Sequence, residues 1–242
     1  MAQHSPAPPT RVLVLQTDNR PALDYLQASR RVNEAACAAL PGFAYRFEPL
    51  ATVYQRQMFP ATEKLFAVRD ALAATDADVL VFLDSDAWIQ DAGLLAQLVG
   101  MLAARADKHG AFSRDPYLEI NTYVNSGSFV LKVNDHTRRM YADITAAAVA
   151  DRSKWHSWPF DQFYVSNHVH AHRADFLVFK PPVLNTPRGA VLRHNWRKNA
   201  AMWADMAALL ASGPSELRDI DWADAVDDEP FPNPHSHGEA YP

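Results

Sequence analysis

At 242 residues the chain suffices for one domain with a substantial core, and its 48% hydrophobic and 11% aromatic content excludes a largely disordered protein. A net charge of −5, from 23 Lys+Arg against 28 Asp+Glu, argues against the basic footprint of a duplex-binding surface but not against a small anion held by a few local cations. Cys37 is the sole cysteine, so neither an intramolecular disulfide nor a cysteine zinc cluster can form.

The opening MAQHSPAPPT has no basic stretch leading into an apolar one, so no signal peptide is expected, and its prolines mark residues 1–10 as a disordered tail. No segment reaches the ~18 consecutive apolar residues of a membrane helix. A soluble, cytoplasmic protein without a membrane span is the expectation. Arg11-Val-Leu-Val-Leu15 then reads as a buried strand that delivers Gln16, Thr17 and Asp18 at its C-terminal end. Residues 22–39 read as a helix with Leu23, Leu26, Val32 and Ala36 inward, and Phe43–Phe47 as a second strand.

After Pro60, Leu65, Val68 and Leu72 recur at helical spacing, predicting a helix over 61–74. Val79–Leu83 is all apolar, the pattern of a strand buried on both faces. Leu94, Leu95, Leu98, Val99 and Leu102 mark a further helix. Beyond residue 110 the elements shorten: Tyr123–Lys132 and Phe176–Phe179 read as strands, Thr137–Val149 and 199–211 as helices. This alternation predicts an α/β fold, its sheet mostly parallel at the start. One domain over 11–222 is expected, followed by a loose acidic and Pro/His-rich tail over 223–242.

The most informative feature is Asp84-Ser85-Asp86, directly after the Val79–Leu83 strand. Ligands of open α/β sheets gather beyond the carboxyl ends of the strands. Two carboxylates one residue apart are costly to hold together without a cation, and their hard oxygens suit Mn²⁺ or Mg²⁺ alongside substrate phosphates. Asp and Ser are also ordinary turn residues, so these three alone leave a solvated turn equally open.

The neighbourhood decides between them. Lys64-Leu-Phe-Ala-Val-Arg69-Asp-Ala-Leu72, then VLVFLDSDAW over 79–88, then Asn125-Ser-Gly-Ser-Phe129 and Phe160-Asp161-Gln162, stand in an order that resembles GT-A glycosyltransferases. The resemblance is nearest to the family 34 galactosyl- and xylosyltransferases, more distant to the retaining family 8 enzymes, and spans roughly residues 11–200. It implies a GT-A, Rossmann-like fold with a mixed central sheet flanked by helices. It also implies transfer of a hexose or pentose from a nucleotide-diphosphate sugar, a UDP-sugar, to a hydroxyl acceptor with retention of anomeric configuration.

Carried onto this chain, the resemblance implies that Asp84, Asp86 and a later histidine, His194, hold Mn²⁺ or Mg²⁺. Ser85 reaches the donor ribose or sugar, and Gln16, Thr17 and Asp18 border the nucleoside. Arg69 is the preferred donor contact from the 61–74 helix. Lys64 shares the family spacing, but residues five apart lie about 140° apart around a helix, so the two need not face one ligand. Asn125, Ser126 and Gly127 line the sugar or its acceptor, Gly127 by letting backbone approach closely. Asp161 and Gln162 lie beside the anomeric carbon, and Arg197 and Lys198 cover the diphosphate. Trp155 and Trp158 stand either as core anchors or as a stacking platform for an acceptor sugar. His168, His170 and His172 alternate as if on one strand face, a second and weaker metal possibility.

Two rivals remain. A nucleotidyltransferase should carry a Gly-rich phosphate loop after the first strand, where this chain has Gln16-Thr-Asp-Asn19. A catalytically silent nucleotide-sugar-binding domain would keep the fold and lose the site residues.

Overall fold

The computed structural model describes residues 9–50, 58–115, 123–196, 198–212 and 220–227. Its strands are β1 Val12–Asp18, β2 Phe43–Pro49, β3 Val79–Leu83, β4 Ala87–Ile89, β5 Gly110–Arg114, β6 Val124–Lys132, β7 Phe176–Phe179, β8 Leu184–Thr186 and β9 Leu192–His194. The helices, numbered in chain order, are α1 Asp24–Ala38, α2 Pro60–Ala74, α3 Ala92–Ala104, α4 Asp135–Ala150, α5 Asp161–Ala171, α6 Ala200–Ser212 and α7 Trp222–Ala225.

The central sheet runs β2-β1-β3-β6-β5-β7. β1 pairs parallel with β2 and β3, whereas β6 enters antiparallel to both β3 and β5, which makes the sheet mixed. Alternation along the strands sorts side chains into two cores. Leu13, Leu15, Leu80 and Phe82 pack with Leu65, Val68 and Leu72 of α2 and with Met140, Tyr141 and Ile144 of α4. Val12, Val14, Val79, Val81 and Leu83 point the other way, into a core with Leu94, Leu95 and Leu98 of α3. An α/β/α sandwich follows, and it explains why β1 and β3 are buried along their whole lengths.

Local chemistry sets the helix boundaries. Pro60 occupies the start of α2, where its missing N–H costs nothing. Asp91 caps α3 by accepting from the Leu94 N–H, and Asn134 and Thr137 form a reciprocal capping box on α4.

A small second sheet, β4-β9-β8, lies beyond the C-terminal end of β3. In it β4 pairs antiparallel with β9 so that Ala87 faces His194. This pairing brings a histidine 108 residues distant in sequence to the turn that carries the two aspartates.

Three expectations need correction. His168 and His170 lie on α5 and His172 caps it, so the alternating trio is helical and shares no strand face. Their spacing of two is compatible with a strand, but Val165 and Val169 bury at the helical interval of four. The segment 110–114, given no element from sequence, is β5, sandwiched between β6 and β7. Finally, 223–227 are not loose: α7 packs Ala225 into the core, Val226 bridges Phe179, and buried Asp227 meets Arg114 at 2.8 Å. The tail from 228 onward lies outside the described residues.

Candidate active site

The chain leaves the core at Leu83 and turns sharply through Asp84-Ser85-Asp86 before entering β4. The Ala87 N–H donates to the Asp84 carbonyl at 3.0 Å, and the Asp84 N–H to the Gly127 carbonyl of β6 at 2.7 Å. The Asn195 N–H donates to the Asp86 carbonyl at 2.9 Å, tying the turn to the end of β9.

From the β1 side the turn is held by buried polar side chains. Gln16 Nε2 donates to the Asp84 carbonyl at 2.8 Å and lies 3.2 Å from that of Ala87, while its Oε1 accepts from Tyr45. Ser29 of α1 reaches the Ser85 carbonyl, and Asn33 accepts from the Ile89 N–H at 2.8 Å. Gln16, expected at the nucleoside, is therefore a brace. Its carboxamide is fully buried and engaged within the protein, whereas Thr17 and Asp18 do line the cavity. Ser29 and Asn33 were not singled out from sequence. Their polar character on the buried face of α1 is the one signal that could have found them.

Asp84, Asp86 and His194 each present a ligand atom within 4.8 Å of the others. His194 Nε2 lies 3.0 Å from Asp86 Oδ1 and 3.8 Å from Asp84 Oδ2. Gly127 makes this approach possible, since a Cβ there would come within 2.1 Å of His194 Cε1. Two carboxylates and an imidazole are a fitting donor set for Mn²⁺ or Mg²⁺, and the glycine cradle holds the ring in place for it.

Lys64 of α2 is buried and bridges two acids. Its ammonium lies 2.8 Å from Asp84 Oδ1 and 3.0 Å from Asp161 Oδ2. Burial pulls the lysine down, but Asp161 and Asp84 outweigh it and leave it firmly protonated. Asp161 opens α5 and also accepts from the Ser126 hydroxyl at 2.6 Å. Burial raises its carboxyl to about 6, with Asp84 pushing the same way and Lys64 resisting. Burial likewise lifts Asp84 against the pull of Lys64 and His194. At Asp86 burial is outweighed by the charge and hydrogen bond of His194, and the carboxyl falls below its usual range. His194 rises in return, burial opposing and Asp86 prevailing.

Gln162 and Asn125 both donate to Asp115, at 2.5 and 3.1 Å, and Asn125 Oδ1 accepts from the Gly127 N–H and from Asn185. Asp115 and Asn185 are buried organisers that sequence reasoning missed. Asp115 directly follows β5, the strand not foreseen, so no motif pointed to it.

The remaining expectations divide. Arg69 turns its guanidinium to Asp70, at 2.7 Å, and lies over the Phe66 ring, so Lys64 and not Arg69 is the α2 cation that faces the aspartates. Lys198 sits 5.7 Å above the Tyr25 ring, at the edge of the site, and Arg197 lies outside the described residues. Trp155 is a core anchor, buried with its indole N–H on the Ala148 carbonyl, whereas Trp158 is exposed.

A cavity of about 390 Å³ opens over this floor. Thr17, Asp18 and Arg20 wall one side, Phe59, Pro60 and Lys64 the other, and Asp84, Ser85 and Asp86 lie between. Arg20, also missed, clasps Asp18 with two nitrogens at 3.0 Å each.

Comparison with solved structures places the fold. A glycosyltransferase involved in the glycosylation of the major capsid of PBCV-1 superposes with a TM-score of 0.63 at 12% identity, covering 82% of this chain and 99% of the other. The galactosyltransferase LgtC, solved with donor and acceptor sugar analogues, gives 0.55 at 14% identity, covering 86% and 98%. Mouse xyloside xylosyltransferase 1 gives 0.51 at 11% identity, covering 78% and 99%. No protein-family model and no curated protein matches the sequence. The chain therefore has the GT-A glycosyltransferase fold, a mixed α/β sheet flanked by helices, in agreement with the expected class. Among the described residues no helix is long and apolar enough to cross a membrane.

Proposed function

We propose that this chain is a metal-dependent glycosyltransferase that moves a hexose or pentose from a nucleotide-diphosphate sugar, a UDP-sugar, to a hydroxyl acceptor with retention. The observation that carries the reading is the convergence of Asp84, Asp86 and His194 on one point beneath a cavity in a GT-A fold. Bound there, Mn²⁺ or Mg²⁺ would neutralise the donor diphosphate and so ease its departure.

The chain's own groups do the rest. Asp86 and His194 would be the principal ligands, because Asp84 already shares its charge with Lys64. Lys64 holds Asp84 and Asp161 in fixed positions and keeps the acidic floor from repelling itself apart. Thr17, Asp18 and Ser85 border the nucleoside and ribose, and Ser126 and Gln162 fix the wall beside the sugar. Asp161 is the carboxylate that would face positive charge developing at the anomeric carbon, a role supported by its contacts with Lys64 and Ser126. Transfer breaks the bond from that carbon to the phosphate oxygen and forms one to the acceptor oxygen on the same face. The acceptor's proton passes to the departing phosphate, so no separate base is required.

The test is a donor panel with Mn²⁺, followed by NMR of the first-formed product. An α-linked donor giving an α-linked product supports the reading, while a β-linked product rules out retention. A silent binding domain would take up donor and metal but consume no donor with any acceptor or with water.

A further inference from the structure

Asp161 and Lys64 ride on the starts of α5 and α2, and the residue before each helix is a phenylalanine. Phe59 precedes Pro60, and Phe160 precedes Asp161. Their rings stack with centroids 4.8 Å apart and planes 17° from parallel. Trp158 meets Phe160 edge-on at 6.5 Å, extending the aromatic row outward. The Phe59 N–H donates to the Trp155 carbonyl at 3.0 Å and the Thr62 hydroxyl lies 3.3 Å from it, clamping the two helix starts together.

This row is costly to keep. Phe59 is 48% exposed and Trp158 57%, and only Val149 and Leu210 join them as large exposed apolar side chains among the described residues. Phe160 holds φ 53°, a left-handed conformation a bulky residue adopts only when its surroundings impose it, and such strain gathers where ligands are held. Phe59 also forms part of the cavity wall beside Lys64 and Asp84, so the row runs from the reacting centre into solvent.

We propose that Phe59, Phe160 and Trp158 form the acceptor platform, on which a pyranose ring of a carbohydrate acceptor stacks. The inference rests on the glycosyl-transfer reading and gives its acceptor a chemical class. A pyranose has one face of C–H bonds and a rim of hydroxyls. Laid on an open aromatic row, it covers apolar surface while its hydroxyls stay in water or turn into the cavity. An alkyl chain would want an enclosed groove, and this row is open to solvent.

The test is donor consumption from UDP-glucose, UDP-galactose and UDP-xylose with Mn²⁺, alone and with methyl glycosides of common hexoses and xylose and their disaccharides. At least one glycoside should accelerate consumption of a donor over water alone. Trp158→Ala should raise the KM of that glycoside about tenfold. Trp158→Phe should recover most of the loss, which separates stacking from damage to the fold. An unchanged KM in Trp158→Ala overturns the proposal, as does acceleration by n-alkyl alcohols but by none of the glycosides. Donor hydrolysis that no glycoside accelerates overturns the platform while leaving transferase chemistry standing. If metal and UDP fail to bind at all, the underlying reading falls and the platform with it.

Discussion

The Gly127 cradle permits a sharp test of the metal site, because a methyl there displaces His194 without replacing any ligand. In Gly127→Ala the new methyl would stand 2.1 Å from His194 Cε1 and 2.3 Å from Nδ1, where real Cβ atoms essentially never come within 3.0 Å. The ring must therefore retreat by about 0.9 Å, several times the ~0.2 Å by which metal–ligand distances vary. Asn125 Oδ1, 3.1 Å from the same methyl, limits escape in the other direction. Overpacking of this kind costs about 1–3 kcal/mol of stability, and displacing a ligand should weaken Mn²⁺ binding about 10–100-fold. Calorimetric titration of Mn²⁺ with UDP measures the second quantity and urea unfolding the first. The double variant Gly127→Ala/His194→Ala should regain most of the lost stability, since the clashing ring is gone, and a coupling of about 1–3 kcal/mol should appear in the cycle. Gly127→Ala that binds Mn²⁺ as wild type does would refute the argument, and strictly additive losses would show that the methyl never met the ring.

Excess EDTA should abolish donor binding and turnover together, and Mn²⁺ should restore both. His194→Ala should cost about a hundredfold in rate, ~3 kcal/mol, and full turnover in chelator would sink the metal assignment. Lys64→Met strands the buried Asp161 and the half-buried Asp84, so the metal-free protein should lose about 3–5 kcal/mol in urea unfolding, and a midpoint near wild type would mean Lys64 holds nothing. Glu63 is buried, its carboxylate oxygens have no hydrogen-bond partner, and burial lifts its pKa from 4.5 to about 7. The fold favours its protonated form, so that contribution is present below pH 4.5 and lost as pH rises through about 7. Glu63→Gln should accordingly raise Tm at pH 8 by roughly 2–10 °C and leave it nearly unchanged near pH 4.5, and an equal shift at both would disprove the linkage.

The fold was most readable where the sheet is buried on both faces. All-apolar runs such as Val79–Leu83 leave little choice but a central strand, and helices with an inward stripe, as at Leu65, Val68 and Leu72, announced themselves by spacing. Reading failed where burial follows from partners distant in sequence. β5 has only five residues, Gly110–Arg114, and its Gly, Ser and Arg look like loop until β6 and β7 close around it. β4, β8 and β9 have three residues each and exist because they pair with one another. α5 escaped notice because polar Asp161, Gln162 and Ser166 share its buried face with Tyr164, Val165 and Val169, which blurs the apolar stripe.

Within the site the same limit takes a chemical form. Asp84, Asp86 and Asp161 could be named because carboxylates beside a strand end require some neutralising partner. Which cation supplies it is a question of helix phase, and Lys64 and Arg69 satisfy the motif equally on paper. The tertiary structure decides for Lys64: its buried, compact ammonium meets Asp84 and Asp161 at once, while the Arg69 guanidinium turns to Asp70. Desolvating a lysine is tolerable only where two carboxylates receive it, so its burial and the aspartates' proximity are one arrangement. The sequence motif lists the members of that arrangement, and the crossing of α2, β3 and α5 makes them neighbours.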